Sequence, residues 1–232
     1  MLDILVDGKS LASYGFEVIE RPSIPIAEPR VEHITIMGRD GTLTIKDGTY
    51  ENIEFSIDLN YLHPQTSALT AIRGITPILL NASSLVLSDD SSGYYRVKSV
   101  RCEDMANDIL TYGQCTVHLV CEPFRYHESG KNPTSLSAQV TNLVNPGNHT
   151  ALPFLSNPNS TNPVRMTFYT GPNRNILLGT VTIPPGGYMD SELKHCTAGC
   201  GGEFIAIPPG PFRVIFDQTP YYANAVWKWR DV

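Results

Sequence analysis

The sequence predicts a mostly β, two-domain chain with a projecting hairpin, and three observations carry that reading. Residues 53–61, IEFSIDLNY, alternate strictly between apolar and polar. Just upstream, two Asp-Gly pairs, Asp40-Gly41 and Asp47-Gly48, bracket a short apolar-alternating segment. The second half is a series of short β-type runs separated by Pro, Gly and Asn, with no helical pattern, as in a β-sandwich or jelly roll. With 232 residues the chain has room for one large or two modest domains.

Taken in order, VEHITIM (residues 31–37) predicts a strand and TLTI (42–45) a short one. Asp-Gly suits tight hairpins because the turn needs positive φ, which glycine adopts without steric cost. Ile53, Phe55, Ile57, Leu59 and Tyr61 then share one face of a long strand, buried on that face and wet on the other. Residues 31–61 therefore read as a strand, a projecting hairpin and a long strand. HPQTSALTAIRG (63–74) is the one good helix candidate: Pro64 sits near the first turn, Leu69 and Ile72 share a face, Gly74 is placed to end it and Pro77 limits continuation. Strands resume with SLVLSDD, GYYRVKSVRCE and YGQCTVHLVCEPFRY, the last with Cys115, Val117, Leu119 and Cys121 on one face. The polar stretch HESGKNPTSLS (127–137) reads as a linker, dividing a domain of residues 1–128 from one of residues 129–232. Beyond it VRMTFYT, GTVTI, EFIAI, FRVIF and NAVWKWR predict short strands.

Composition narrows the function. Hydrophobic residues make up 41% and charged residues 17%, enough apolar material for a core and no signature of disorder. A formal net charge of -6 argues against a nucleic-acid binder, whose footprint is basic. No apolar run approaches the ~20 residues of a membrane helix. The start, MLDILVDGKS, lacks the basic region of a signal peptide. Five cysteines, an odd count without a secretion signal, predict free thiols made in a reducing cytoplasm.

Candidate chemistry is sparse. In HCTAGCGGE (195–203), Cys196 and Cys200 beside His195 have the beginnings of a zinc site, yet no second Cys/His pair stands at finger spacing, so the segment reads as a Gly-rich loop with incidental thiols. Cys115 and Cys121 lie ~20 Å apart at strand rise and share no metal; they read as buried, inert thiols. The histidines His33, His63, His118, His127, His149 and His195 sit in no nucleophile motif. SDDSSG (88–93) lacks EF-hand spacing and reads as an acidic turn. Trp227 and Trp229, alternating with Lys228 and Arg230, read as the core or interface face of a C-terminal strand that also carries Ala225. No catalytic residue, metal or cofactor is predicted.

The order of the pieces resembles a known family. GKSLASYGFEVIERPSIPIAEPRVEHITIMGRDGTLTIKDGTYENIEFSIDL is similar to the opening of the distal tail proteins of long-tailed phages, the siphophage Dit family. LVLSDDSSGYYRV and VHLVCEPFRY resemble the family's close of the first domain; LVNPGNHTALPFL, GTVTIPPGGYMDSEL, FIAIPPGPFRVIF and WKWRDV resemble successive pieces of the second. Nearly the whole chain is covered.

The resemblance implies an N-terminal β-sandwich with one helix and a protruding β-hairpin arm, and a C-terminal galectin-like β-sandwich. It implies a structural baseplate hub in the virion tail tip, assembled in the host cytoplasm. The hub would be a homohexameric ring under the tail tube protein, carrying the tail-associated lysin or fibre protein and receptor-binding components, with DNA only passing through its lumen and no membrane contact. The ring-interface arm would comprise Arg39, Asp40, Gly41, Thr42, Leu43, Asp47, Gly48 and Tyr50, because an open edge is a pairing surface and a heterologous contact whose rotation closes makes a ring. The rival reading is a carbohydrate-binding module at the host surface, resting on Trp227, Trp229, Tyr221 and Tyr222. A third, a hydrolase with a cryptic site, has no residues to name.

Overall fold

The computed structural model describes residues 2–62, 67–104, 106–109, 112–159, 161–217 and 222–232. Pro64, named above for the helix start, and His63 and Tyr221 lie outside the described residues. The chain divides into two compact units, Met1–Arg125 with Val232, and Tyr126–Asp231. It is mostly β with sandwich-like sheets and, among the described residues, one α-helix.

The first unit opens with β1 (Ile4–Val6), β2 (Lys9–Ser10) and β3 (Phe16–Val18), followed by β4 (Pro29–Thr35), β5 (Thr42–Tyr50) and β6 (Ile53–Leu62). Helix α1 (Ala68–Leu80) leads to β7 (Ser84–Leu87), β8 (Gly93–Cys102), β9 (Ala106–Ile109) and β10 (Tyr112–His127). The main sheet runs β2-β1-β7-β8-β10-β6-β3, with β9 also on β10. The alternation of β6 is satisfied by β10: Ile53 faces Cys121, Phe55 faces Leu119, Ile57 faces Val117 and Leu59 faces Cys115. All eight are buried and form the centre of this unit's core.

The helix departs from expectation. It neither ends at Gly74 nor stops before Pro77 but runs through both to Leu80. Its buried face is Ala68, Ile75 and Leu79, while Leu69 is 45% exposed. Burying Ile75 and Leu79 is worth roughly 1.5–3 kcal/mol each, which offsets a glycine cost of about 1 and a proline cost of about 3 kcal/mol. The ends are tied locally: Ser67 Oγ accepts the Thr70 N–H at 3.3 Å, and Asn81 Nδ2 donates to the Pro77 carbonyl at 2.8 Å.

The second unit contains β11 (Thr134–Leu136), β12 (Val140–Asn145), β13 (Phe154–Ser156), β14 (Val164–Thr170) and β15 (Ile176–Ile183). They are followed by β16 (Tyr188–Asp190), β17 (His195–Cys196), β18 (Gly201–Gly202), β19 (Gly210–Phe216), β20 (Ala223–Val226) and β21 (Arg230–Asp231). Two five-stranded sheets, β11-β20-β13-β16-β17 and β12-β19-β14-β15-β18, enclose a core to which Leu155, Met189 and Ala225 of one and Phe168, Phe212 and Phe216 of the other belong.

Three expectations are corrected here. Residues 127–137 are not a free linker: a 3-10 turn spans Glu128–Gly130, and β11 pairs with β20, setting the buried Leu136 opposite Ala223. EFIAI (203–207) is not a strand; Ile205 and Ile207 fill the core, and only Ile207 makes a bridge, to Ala151. The C-terminal strand is broken, since β20 ends at Val226 and Lys228 takes a φ of 52°.

Candidate functional site: an exposed hairpin arm

β4 and β5 pair with each other and with no other described strand. The pairs run from Thr35 with Thr42 at the tip through Ile34 with Leu43, His33 with Thr44, Glu32 with Ile45 and Val31 with Lys46, ending at Pro29 with Tyr50. Residues 36–41 form the connecting loop, holding Arg39 and Asp40, with Gly41 at φ 77°. The second Asp-Gly pair is not a turn. Asp47 and Gly48 lie inside β5, where the register shifts between Val31 and Pro29. Asp47 Oδ1 accepts from the Thr49 N–H at 2.8 Å and the Thr49 hydroxyl at 2.7 Å, and Gly48 takes φ 80°. That is the local chemistry of a β-bulge, which uses the same residue types as a hairpin turn. The strand is thus longer than TLTI and spans the whole TLTIKDGTY segment.

Opposite residues of an antiparallel pair share a face. One face of the arm carries Ile34, Leu43 and Ile45, with Glu32 at its edge; the other carries Val31, His33, Thr35, Thr42, Thr44 and Lys46. On the polar face His33 Nδ1 lies 3.2 Å from Thr44 Oγ1. Ile45 is 43% exposed, and Met37 in the tip loop is fully exposed. At the foot, Tyr50 meets Phe124 edge-on, 5.5 Å between ring centroids, and Arg30 Nε pairs with Glu51 at 2.9 Å. The sequence reading named Leu43 but missed Ile34 and Ile45; the signal was present in the alternation of both strands, read against one another.

The wet face of the main sheet holds a second arrangement that sequence reasoning missed. Ser56 and His118 are directly opposed on β6 and β10, with Ser56 Oγ 2.7 Å from His118 Nδ1. His118 Nε2 lies 2.7 Å from Glu103 Oε1. Serine, imidazole and carboxylate in line have the order of a hydrolytic triad. Catalysis also needs donors aimed at a developing oxyanion. Here the side chains stand open to water on a sheet face whose strand N–H groups serve the ladder, and among the described residues no pair of donors is aimed at one point beside Ser56. The group is a cross-strand polar pair extended to Glu103, beside a second such pair, Thr116 with Asp58 at 2.7 Å.

In the second unit Trp227 and Trp229 stack at 5.3 Å with 5° between planes, and Phe212 meets both edge-on. Both indoles are buried, so neither offers a face to a sugar; Tyr222 is exposed. Lys228 between them turns its Nζ onto Asp190 at 3.1 Å and Glu192 at 2.7 Å, one largely buried ammonium shared by two largely buried carboxylates. Around His195, Nδ1 lies 3.1 Å from the Tyr188 hydroxyl, and strand alternation places it on the opposite side of β17 from Cys196. Among the described residues no three metal-ligating side chains come together.

Two sandwich-like β units, the first with a free two-stranded arm, make up the fold of this chain. Over 100% of both chains the structure matches the crystal structure of SPP1 Dit (gp 19.1), described as a paradigm of the hub adsorption apparatus in phages infecting Gram-positive bacteria, with a TM-score of 0.68 and 16% sequence identity. No protein-family model matches the sequence, and no curated protein does.

Proposed function

We propose that this chain is a distal tail protein, a structural hub of a siphophage tail tip that closes into a hexameric ring through its first unit. The carrying observation is the arm: a two-stranded ribbon with one apolar face, on which Ile34 and Leu43 are half-buried and Ile45 is exposed. A lone hairpin is marginally stable in water, and an apolar face left open marks an interaction surface. A second copy of the chain supplies the cover, and repeating that contact around an axis closes the ring. The likeness to SPP1 Dit supports the same reading through fold.

In this reading the ring joins the tail tube protein above to a tail-associated lysin or fibre protein below. The galectin-like second unit docks receptor-binding or other baseplate proteins, and the protein acts without catalysis. Its β12-β19-β14-β15-β18 sheet suits a protein partner, with Val140, Val144, Ile176 and Leu177 exposed on it. Native mass spectrometry across a concentration series tests the ring. A hexamer is expected, and a monomer at every concentration overturns the proposal.

A further inference from the structure

Cys196 and Cys200 occupy a particular place in the second unit. β17, which holds Cys196, ends one sheet of the sandwich; β18, which follows Cys200, ends the other. The two sheets are therefore joined at this edge by the few residues between the cysteines. They turn tightly: the Cys200 N–H donates to the Thr197 carbonyl at 3.2 Å, and Gly199 takes φ 90°. Cys196 stands opposite the buried Met189, and both cysteines are half-buried against the core. Cys200 Sγ donates to the Tyr188 carbonyl at 3.4 Å, on the residue next to the one that Cys196 faces across the strand pair.

We propose that Cys196 and Cys200 are a disulfide-forming pair, reduced when the protein is made and closed by a small disulfide oxidant outside the cell, where the bond staples the open edge of the sandwich. Two cysteines four residues apart on one tight turn, both packed against the same core, are placed for side-chain rotation to bring them to bonding geometry. The chemistry is two successive thiol–disulfide exchanges. One cysteine loses its proton and attacks a sulfur of the oxidant, whose S–S bond breaks and releases one small thiolate. The second cysteine, deprotonated in turn, attacks the protein-bound sulfur and expels the other. The cysteines lose two electrons and two protons, and the oxidant leaves as two small thiols. The remaining three thiols belong to the first unit: Cys115 and Cys121 are buried in its core and point the same way from one strand, and Cys102, on β8, is half-buried against that core. The change of compartment rests on the tail-tip reading, since cytosolic thiols stay reduced and extracellular ones oxidise; the thiol chemistry itself does not depend on it.

The test uses the purified full chain, reduced and then equilibrated in glutathione buffers from fully reduced to fully oxidised. Free thiols are counted under denaturant, and the partners are mapped by differential alkylation and mass spectrometry. Loss of two of the five thiols, mapped to Cys196–Cys200, is expected. Oxidation is also expected to raise the melting temperature of wild type but not of Cys200→Ser or Cys196→Ser. Five free thiols in oxidised glutathione, a bond between any other pair, or glutathione adducts on these cysteines without ring closure each overturn it. Ring formation is read separately by native mass spectrometry, so the hub reading and the disulfide stand or fall independently.

Discussion

Ile34 and Leu43 stand directly opposite each other on the arm, an apolar cross-strand pair with Ile45 diagonal to it on the same face. None of the three belongs to the first unit's core; what the pair contributes within one copy is a cross-strand contact that holds the ribbon together.

If the proposed ring contact uses the arm's apolar face, substitutions on its two faces should differ. Leu43→Lys with Ile45→Lys should abolish the ring while leaving the melting temperature of the single chain unchanged within about 2 °C, since surface changes usually lie within ±0.5 kcal/mol. Thr44→Lys, on the opposite face, should leave the ring intact. Losing two buried aliphatic groups is worth about 3–6 kcal/mol per interface, roughly a hundredfold or more in affinity. Deleting residues 39–50 should have the same effect on the ring. Light scattering checks all of these; a double-lysine variant that still runs as a hexamer removes this face from the interface.

Reactivity should divide the cysteines. Burial pushes the Cys115 thiol up to about 11 and the Cys121 thiol up to about 12. At pH 8 roughly one in a thousand or fewer would be thiolate, so both should resist a thiol reagent until the chain unfolds. The sign for stability follows: these thiols favour the folded state fully below pH ~8.5, and that contribution is lost as pH rises toward 11 and 12. Native-state labelling of Cys121 as fast as that of Cys196 would mean that the first core opens readily.

The residues explain which parts of this fold could be read in sequence. β6 was legible because its five apolar side chains all meet one partner strand, and period two states that directly. Asp47-Gly48 was not, because a bulge and a hairpin turn demand the same positive φ, and only pairing of Lys46 with distant Val31 distinguishes them. α1 was misjudged at Gly74 and Pro77 because the buried face of Ile75 and Leu79 is decided by the sheet beneath it, not by local propensity. The candidate site was half legible: Leu43 and the loop at Asp40-Gly41 were read, whereas the apolar face needed the register. Ser56 with His118 was invisible, being 62 residues apart in sequence.

Acid should weaken the first unit through Asp90. Arg125 donates from Nε to Asp90 Oδ2 at 2.7 Å, and this guanidinium, with a smaller bond from Ser92, holds the carboxyl below its ordinary value against the opposing effect of partial burial. A depressed carboxylate stabilises the fold above its unfolded value near pH ~3.9 and loses that contribution as pH falls below it. Asp90→Asn should therefore flatten the acid limb of the unfolding curve between about pH 4 and pH 2. A Cβ at Gly93 would collide with the same guanidinium, so Gly93→Ala should displace Arg125 and reproduce part of that flattening. An unchanged acid limb in both variants would assign acid sensitivity elsewhere.

The last prediction decides between docking and sugar binding in the second unit. A lectin site presents an aromatic face ringed by polar groups, whereas Trp227 is 2% exposed and Trp229 5%. The indoles lie parallel at 5.3 Å, and Phe212 closes on both with its ring edge, at 5.4 and 5.8 Å. Such rings each bury roughly 150–250 Å². The break at Lys228 serves this packing, because the turn at φ 52° sends its ammonium to Asp190 and Glu192 while leaving both neighbours inward. Trp227→Ala should cost about 3–5 kcal/mol and lower the melting temperature by more than about 10 °C, with Trp227→Phe recovering part of the loss. Wild type should show no glycan binding at millimolar concentrations on an array. Glycan binding by wild type, lost in a Trp227→Ala protein whose melting temperature has not moved, would place the indole at a sugar site and overturn its role in the core.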